Sequence, residues 1–174
     1  MTEEVVPVRA QPAAPASPPG ATTGQLALLV AIRPKQWLKN LLVVAAPLAA
    51  GSLFEGPVLV GTAIAFVVFC LAASATYLIN DIRDVEVDRR HPKKRYRPIA
   101  SGAVHPRAAA SLAAVLMTGA LVLAFWQSTG LGWTVLAYVV STLSYSFGLK
   151  HEPVLELLLL SLGFMLRAIA GGVA

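Results

Sequence analysis

The run Pro57 to Ile79, 23 residues without one charge, is the feature that most restricts how this chain can fold. As a helix it would reach about 35 Å, enough to cross the ~30 Å hydrocarbon core of a bilayer. Pro57 sits at a first-turn position, where its missing N–H removes no helical bond. Similar runs follow at Arg107 to Trp126, Leu131 to Phe147 and Val154 to Ala170, the last carrying Glu156 and Arg167. A weaker one precedes at Leu38 to Phe54, interrupted by Lys39, Asn40, Pro47 and Gly51. With 56% hydrophobic residues, 13% charged ones and a mean hydropathy of +0.68, the composition argues against a soluble domain of this size. The expected fold is all-α, a polytopic transmembrane helical bundle with about five spans in these residues.

Residues 1 to 24, rich in Pro, Ala and Thr and without the basic start and apolar core of a signal peptide, are expected to form a disordered tail ahead of a membrane domain over residues 25 to 174. The lone Cys70 can form no internal disulfide and is assigned no role. Charge is distributed very unevenly between the spans. Eight of the 14 Lys and Arg residues lie between Arg83 and Arg107, Arg33, Lys35 and Lys39 precede or open the first span, and Lys150 follows the fourth. The connections near residues 51–57 and 127–132 carry only Glu55. Basic loops stay on the cytoplasmic side, so the expected topology is a multi-pass cell-membrane protein with its N-terminus and its chemistry facing the cytoplasm.

At the end of the second span comes Asn80-Asp81-x-x-Asp84-x-x-x-Asp88. Helical spacing of roughly 100° per residue groups Asn80, Asp81, Asp84 and Asp88 on an arc of about 100°, with Tyr77 on the same stripe. Clustered carboxylates repel one another unless a cation intervenes. Mg²⁺ binds through one or two carboxylates together with substrate phosphate oxygens, so the arc reads as a metal and diphosphate site. The competing reading is that the acids pair with neighbouring basic residues. An EF-hand loop is excluded, because its glycine and terminal Glu are missing at the required offsets.

The stretch from His91 to Gly102, with Lys93, Lys94, Arg95 and Arg97 between two prolines, can close over phosphates or simply flank the membrane on anionic lipid. Lys150 and Lys35 are either interfacial anchors or phosphate ligands, and Tyr145 is either a belt residue or part of the site. Glu156 and Arg167, eleven residues apart, share a helix face but are too far apart to pair, so each needs another partner. His91, His105 and His151 show no metal-ligand spacing, and no nucleophile and base are arranged for a covalent intermediate.

The aspartate motif at the end of the second span, followed by Arg97-Pro98, Ser101-Gly102 and the stretch from Tyr145 to Lys150, resembles the UbiA family of intramembrane prenyltransferases over about residues 30 to 174. The wording of Arg33-Pro-Lys-Gln-Trp37, His91-Pro-x-Lys94-x-x-Arg97 and Leu166-Arg-Ala-Ile-Ala-Gly-Gly172 resembles a branch of that family whose acceptor is a polyprenyl phosphate. The resemblance implies Mg²⁺-dependent transfer of 5-phosphoribose from phosphoribosyl diphosphate to polyprenyl (decaprenyl) phosphate, in the route to cell-wall arabinan. It makes Asp81, Asp84 and Asp88 the catalytic acids and implies metal coordination by Asn80 and Asp84 with help from Asp81 and Asp88. Lys35, Tyr77, Lys94, Arg97, Tyr145, Lys150 and Arg167 would hold substrate. The partners implied are the donor, the lipid acceptor and the membrane, with homo-oligomers possible and no nucleic acid. The family bundle has about nine helices, so the resemblance also implies a truncated chain. Two other readings stay open: transfer from a prenyl diphosphate to an aromatic or quinone-precursor acceptor, and an inactive membrane fragment or assembly subunit.

Overall fold

The computed structural model describes residues 24–147 and 153–174, and within them all regular structure is helical. The tail expected over residues 1 to 24 falls outside them save for Gly24; Lys150 and His151 also lie outside the described residues, as does the side chain of Glu156. The chain opens with α1 (Gly24–Ala31) and passes into a 3-10 stretch, Pro34–Val44, that ends in the short α2 (Ala45–Ala49). The long helix α3 (Gly56–Arg83) follows, then α4 (Val85–Arg90), α5 (Pro106–Gln127), α6 (Thr129–Phe147) and α7 (Pro153–Val173). By length and composition α3 and α5 are each sufficient to cross a membrane. The result is an all-α membrane helical bundle.

The first predicted span departs from expectation. It is not one α-helix from Leu38 to Phe54 but a tightened helix that begins at Pro34 and ends at Ala49, with Gly51 turning the chain at φ 73° and Phe54 83% exposed beyond it. Eleven residues at about 2.0 Å and five at about 1.5 Å still reach close to 30 Å. Pro47 supplies part of the reason, because it has no N–H to return to the Val43 carbonyl in an α-helical bond. That carbonyl instead lies against Gly171 of α7, where a Cβ would overlap it. Only a glycine allows this approach, a Cα–H to carbonyl contact of the kind that joins membrane helices.

Two packing seams fix the bundle. The buried residues of α5 are all alanines, Ala109, Ala113, Ala120 and Ala124, and their spacing of four and seven puts them on one face against α3. Small side chains are what membrane helices use to approach closely, since lipid offers no hydrophobic drive for association. The second seam runs antiparallel along α3. Trp37 Nε1 donates to Ser74 Oγ at 3.0 Å, Ser74 Oγ donates to the Ile32 carbonyl at 3.0 Å, and Asn40 Nδ2 contacts Cys70 Sγ at 3.3 Å. At one end of the bundle Arg83 donates to the Ser146 carbonyl, and at the other Ser128 Oγ donates to the Val173 carbonyl at 2.6 Å. The chain therefore alternates between two ends, and the aspartate motif lies at the first of them.

Candidate functional site

The sequence predicted one continuous arc from Asn80 to Asp88. In the structure α3 stops at Arg83, Asp84 takes φ −89° and ψ 8°, and α4 restarts at Val85. The ladder is nearly maintained, with Asp84 N–H on the Asn80 carbonyl at 2.9 Å and Asp88 N–H on the Asp84 carbonyl at 2.8 Å. What differs is the company each side chain keeps. Asp81 is buried and receives Arg33 Nη2 on both oxygens, at 2.6 and 2.8 Å, and Arg97 Nη1 at 3.1 Å. Asp88, also buried, receives Arg97 Nη1 at 2.6 Å. For these two acids the ion-pairing alternative describes the geometry, and among the described residues no three acids or histidines converge as a metal-binding group.

Asn80 faces the other way, into a cavity of about 220 Å³ between α3, α6 and α7. Arg33, Lys39 and Arg167 supply three cations to its wall, and no described carboxylate lines it. Thr76, Tyr77, Tyr138, Thr142, Tyr145 and Ser146 also line it, with Leu159, Leu160 and Phe164 as apolar lining residues from α7. The cavity thus has the makings of an anion site with a lipid-compatible wall.

Arg167 is buried, 6% exposed. Its Nε donates to Asn40 Oδ1 at 2.8 Å, Nη1 to the Gly163 carbonyl at 2.6 Å and Nη2 to Tyr138 Oη at 3.2 Å. The guanidinium carbon also stands 4.8 Å from the Tyr138 ring centroid and 5.7 Å from that of Phe69. Every one of these described partners is neutral. A buried cation held by dipoles and ring faces, with no described acid beside it, keeps an electrostatic demand for an anion.

The remaining predicted residues divide clearly. Tyr77 and Tyr145 line the cavity with Asn80 and Arg167, and Tyr77 carries Arg33 over its ring at 4.9 Å. Lys35, in the first turn of the 3-10 stretch, and Lys94, at the start of the short turn Lys94–Tyr96, are both exposed. Arg97 is committed to Asp81 and Asp88. Arg33, Lys39, Asn40 and Tyr138 were not singled out as site residues from the sequence. Asn40 and Tyr138 did carry a usable signal, being polar groups within apolar runs, which default to paired or functional roles.

Comparison with known proteins follows the same lines. The UbiA prenyltransferase family profile matches residues 41–174. Decaprenyl-phosphate phosphoribosyltransferase of Mycolicibacterium smegmatis is 54% identical over 151 residues, 84% of this chain and 48% of that protein. The protein of the same name from Corynebacterium glutamicum is 51% identical over 151 residues, covering 84% of this chain and 46% of its own length. A third, from Mycobacterium tuberculosis, is 51% identical over 148 residues, 83% of this chain and 49% of that protein. The chain spans about half the length of the curated relatives it matches.

Proposed function

This chain belongs to the UbiA prenyltransferase family, and on that premise we propose that it forms the cytoplasm-facing half of a site that transfers 5-phosphoribose from phosphoribosyl diphosphate to a polyprenyl phosphate, with release of diphosphate. The observation that carries this reading is the cavity wall: Arg33, Lys39 and Arg167 face it and no described carboxylate does. Both donor and acceptor are phosphates, so the cavity matches what they share. The names of the relatives that are half identical to the chain supply the decaprenyl acceptor and the phosphoribosyl group. The eight basic residues between Arg83 and Arg107 support a cytoplasmic location for this end.

A magnesium ion is compatible with part of the motif. Asn80 offers a carboxamide oxygen at the cavity wall and Asp84 a carboxylate one turn further on. Two protein oxygens plus phosphate oxygens and water are what Mg²⁺ ordinarily takes. Bound there, it would supply charge neutralisation for a leaving diphosphate. The chain's own residues do the rest. Lys39 sits where donor phosphates would be held, and Lys94 stands on the exposed loop at the same end. Arg167 and Tyr138 anchor an anion deeper in, beside the apolar wall of Leu159, Leu160 and Phe164, where a lipid phosphate could enter with its chain toward the bilayer. Holding the two phosphates at opposite ends of one cavity converts an encounter between them into an oriented reaction, and the fixed cations stabilise charge as it builds on the departing group. Arabinan precursor synthesis is the pathway role that accompanies this chemistry.

Calorimetric titration of phosphoribosyl diphosphate into the protein at its relatives' full length tests the reading. Micromolar to millimolar binding that requires Mg²⁺ and is weakened by at least about tenfold in Arg167→Gln or Lys39→Gln is expected. Binding that ignores both substitutions would refute the assignment of this cavity.

A further inference from the structure

Asp81 takes two guanidinium groups from segments far apart in the chain. Arg33 lies 48 residues before it, and Arg97, 16 residues after it, bridges on to Asp88. The side chains of both acids are nearly sealed, 4% and 2% exposed, while each arginine is 25% exposed. Two acids and two arginines sum to no net charge. A divalent cation seeking Asp81 would have to displace two charge-assisted donors and leave them uncompensated next to a buried site.

The backbone at Arg33 points the same way. It sits at φ 54° and ψ 61°, the left-handed region that a residue with a Cβ adopts only when its surroundings demand it. Here the demand is visible, since the Ile32 carbonyl is held by Ser74 and Trp37 is held by the same hydroxyl, two turns of α3 away from Asp81. This left-handed residue joins α1 to the 3-10 stretch that carries Lys39 to the cavity wall. Arg97 performs the corresponding task downstream, where it ends the short turn Lys94–Tyr96.

We propose that Arg33, Asp81, Arg97 and Asp88 form a neutral clasp that positions the two cationic segments at the cavity mouth, so that Asp81 and Asp88 are positioning residues. The proposal rests on the phosphate-site reading above for its kinetic consequence, but its structural content stands alone.

The test uses the protein at its relatives' full length. Arg33→Gln, Asp81→Asn and the double variant are assayed for donor KM and for the Mg²⁺ concentration at half-maximal rate, with Asp84→Asn as reference. Each single change is expected to raise donor KM by about tenfold or more with the Mg²⁺ midpoint moving less than about twofold, and the double variant to be no worse than the poorer single, because either change already breaks the Arg33–Asp81 pair. Tryptic cleavage at Lys93, Lys94 and Arg95, all exposed, is measured in parallel. Arg97→Gln and Asp88→Asn are expected to speed it severalfold. A tenfold shift of the Mg²⁺ midpoint in Asp81→Asn, or losses that multiply in the double variant, would overturn the clasp. Absence of any turnover in the unaltered protein would refute the phosphoribosyl reading instead, and the cleavage rates would still decide, unchanged rates in Arg97→Gln and Asp88→Asn overturning the proposal.

Discussion

Arg167 donates its Nε–H to Asn40 Oδ1 at 2.8 Å across 127 residues of sequence, which ties α7 to the 3-10 stretch Pro34–Val44. The bond is buried, and the other described partners of the guanidinium, Tyr138 and the Gly163 carbonyl, are neutral as well. A planar fork is thereby aimed, and its charge is left for something else to neutralise.

Arg167→Lys should therefore fail to substitute for arginine. A lysine keeps the charge but cannot reach Asn40, Tyr138 and the Gly163 carbonyl together. Transfer rates measured on the full-length protein should fall about 100-fold in Arg167→Gln and nearly as far in Arg167→Lys, whereas Tyr138→Phe, which removes one 3.2 Å bond, should cost about tenfold or less.

Asp84→Asn should raise the Mg²⁺ requirement for donor binding by at least about tenfold, because the proposed site would lose its carboxylate. Titration of Mg²⁺ against donor binding measures this. His91→Ala provides a contrast. Its ring accepts the backbone N–H groups of Lys93 and Lys94 at 3.1 and 3.2 Å on an exposed turn, so it should leave the Mg²⁺ midpoint unaltered.

Gly171→Leu should destabilise the bundle. Even a Cβ there overlaps the Val43 carbonyl and stands 3.1 Å from Pro47 Cδ, so the larger side chain must force α7 away from the 3-10 stretch. Overpacking of this kind costs about 1–3 kcal/mol or more, visible as a lowered Tm of the detergent-solubilised protein. Gly119→Leu on α5, where a Cβ meets nothing within 4 Å, should leave Tm nearly unchanged.

The orientation of the two ends is open to cysteine labelling, because the single native cysteine, Cys70, is buried and should stay silent. A membrane-impermeant maleimide should label Lys94→Cys only from the cytoplasmic face and Ser52→Cys only from the opposite one. Labelling of both from one face would break the topology, and exchange of the two faces would invert it.

Much of the bundle was legible in the sequence because uncharged runs and their bounding prolines report helices directly, as Pro57 and Pro106 do for α3 and α5. The first span was less so. Its residues pack against Gly171 at the far end of the sequence, and a contact that chooses 3-10 over α geometry has no local signature. The motif from Asn80 to Asp88 was recognisable from spacing, yet which acids face the cavity was not. Helical phase grouped Asp81 with Asn80, whereas the side chains are separated by Arg33 and Arg97, whose approach depends on a left-handed turn and on the fold of a loop. Arg167 was legible as an intramembrane charge in need of a partner. That the partner is Asn40 required three dimensions.

The most direct test of the central claim is label transfer. Membranes containing the protein at its relatives' full length receive phosphoribosyl diphosphate labelled in the ribose, decaprenyl phosphate and Mg²⁺, and the lipid phase is counted. The account predicts label in the lipid that disappears with chelator and with Asp84→Asn. Unlabelled lipid from a folded, inserted protein that instead moves a prenyl group from a prenyl diphosphate to an aromatic acceptor would contradict it.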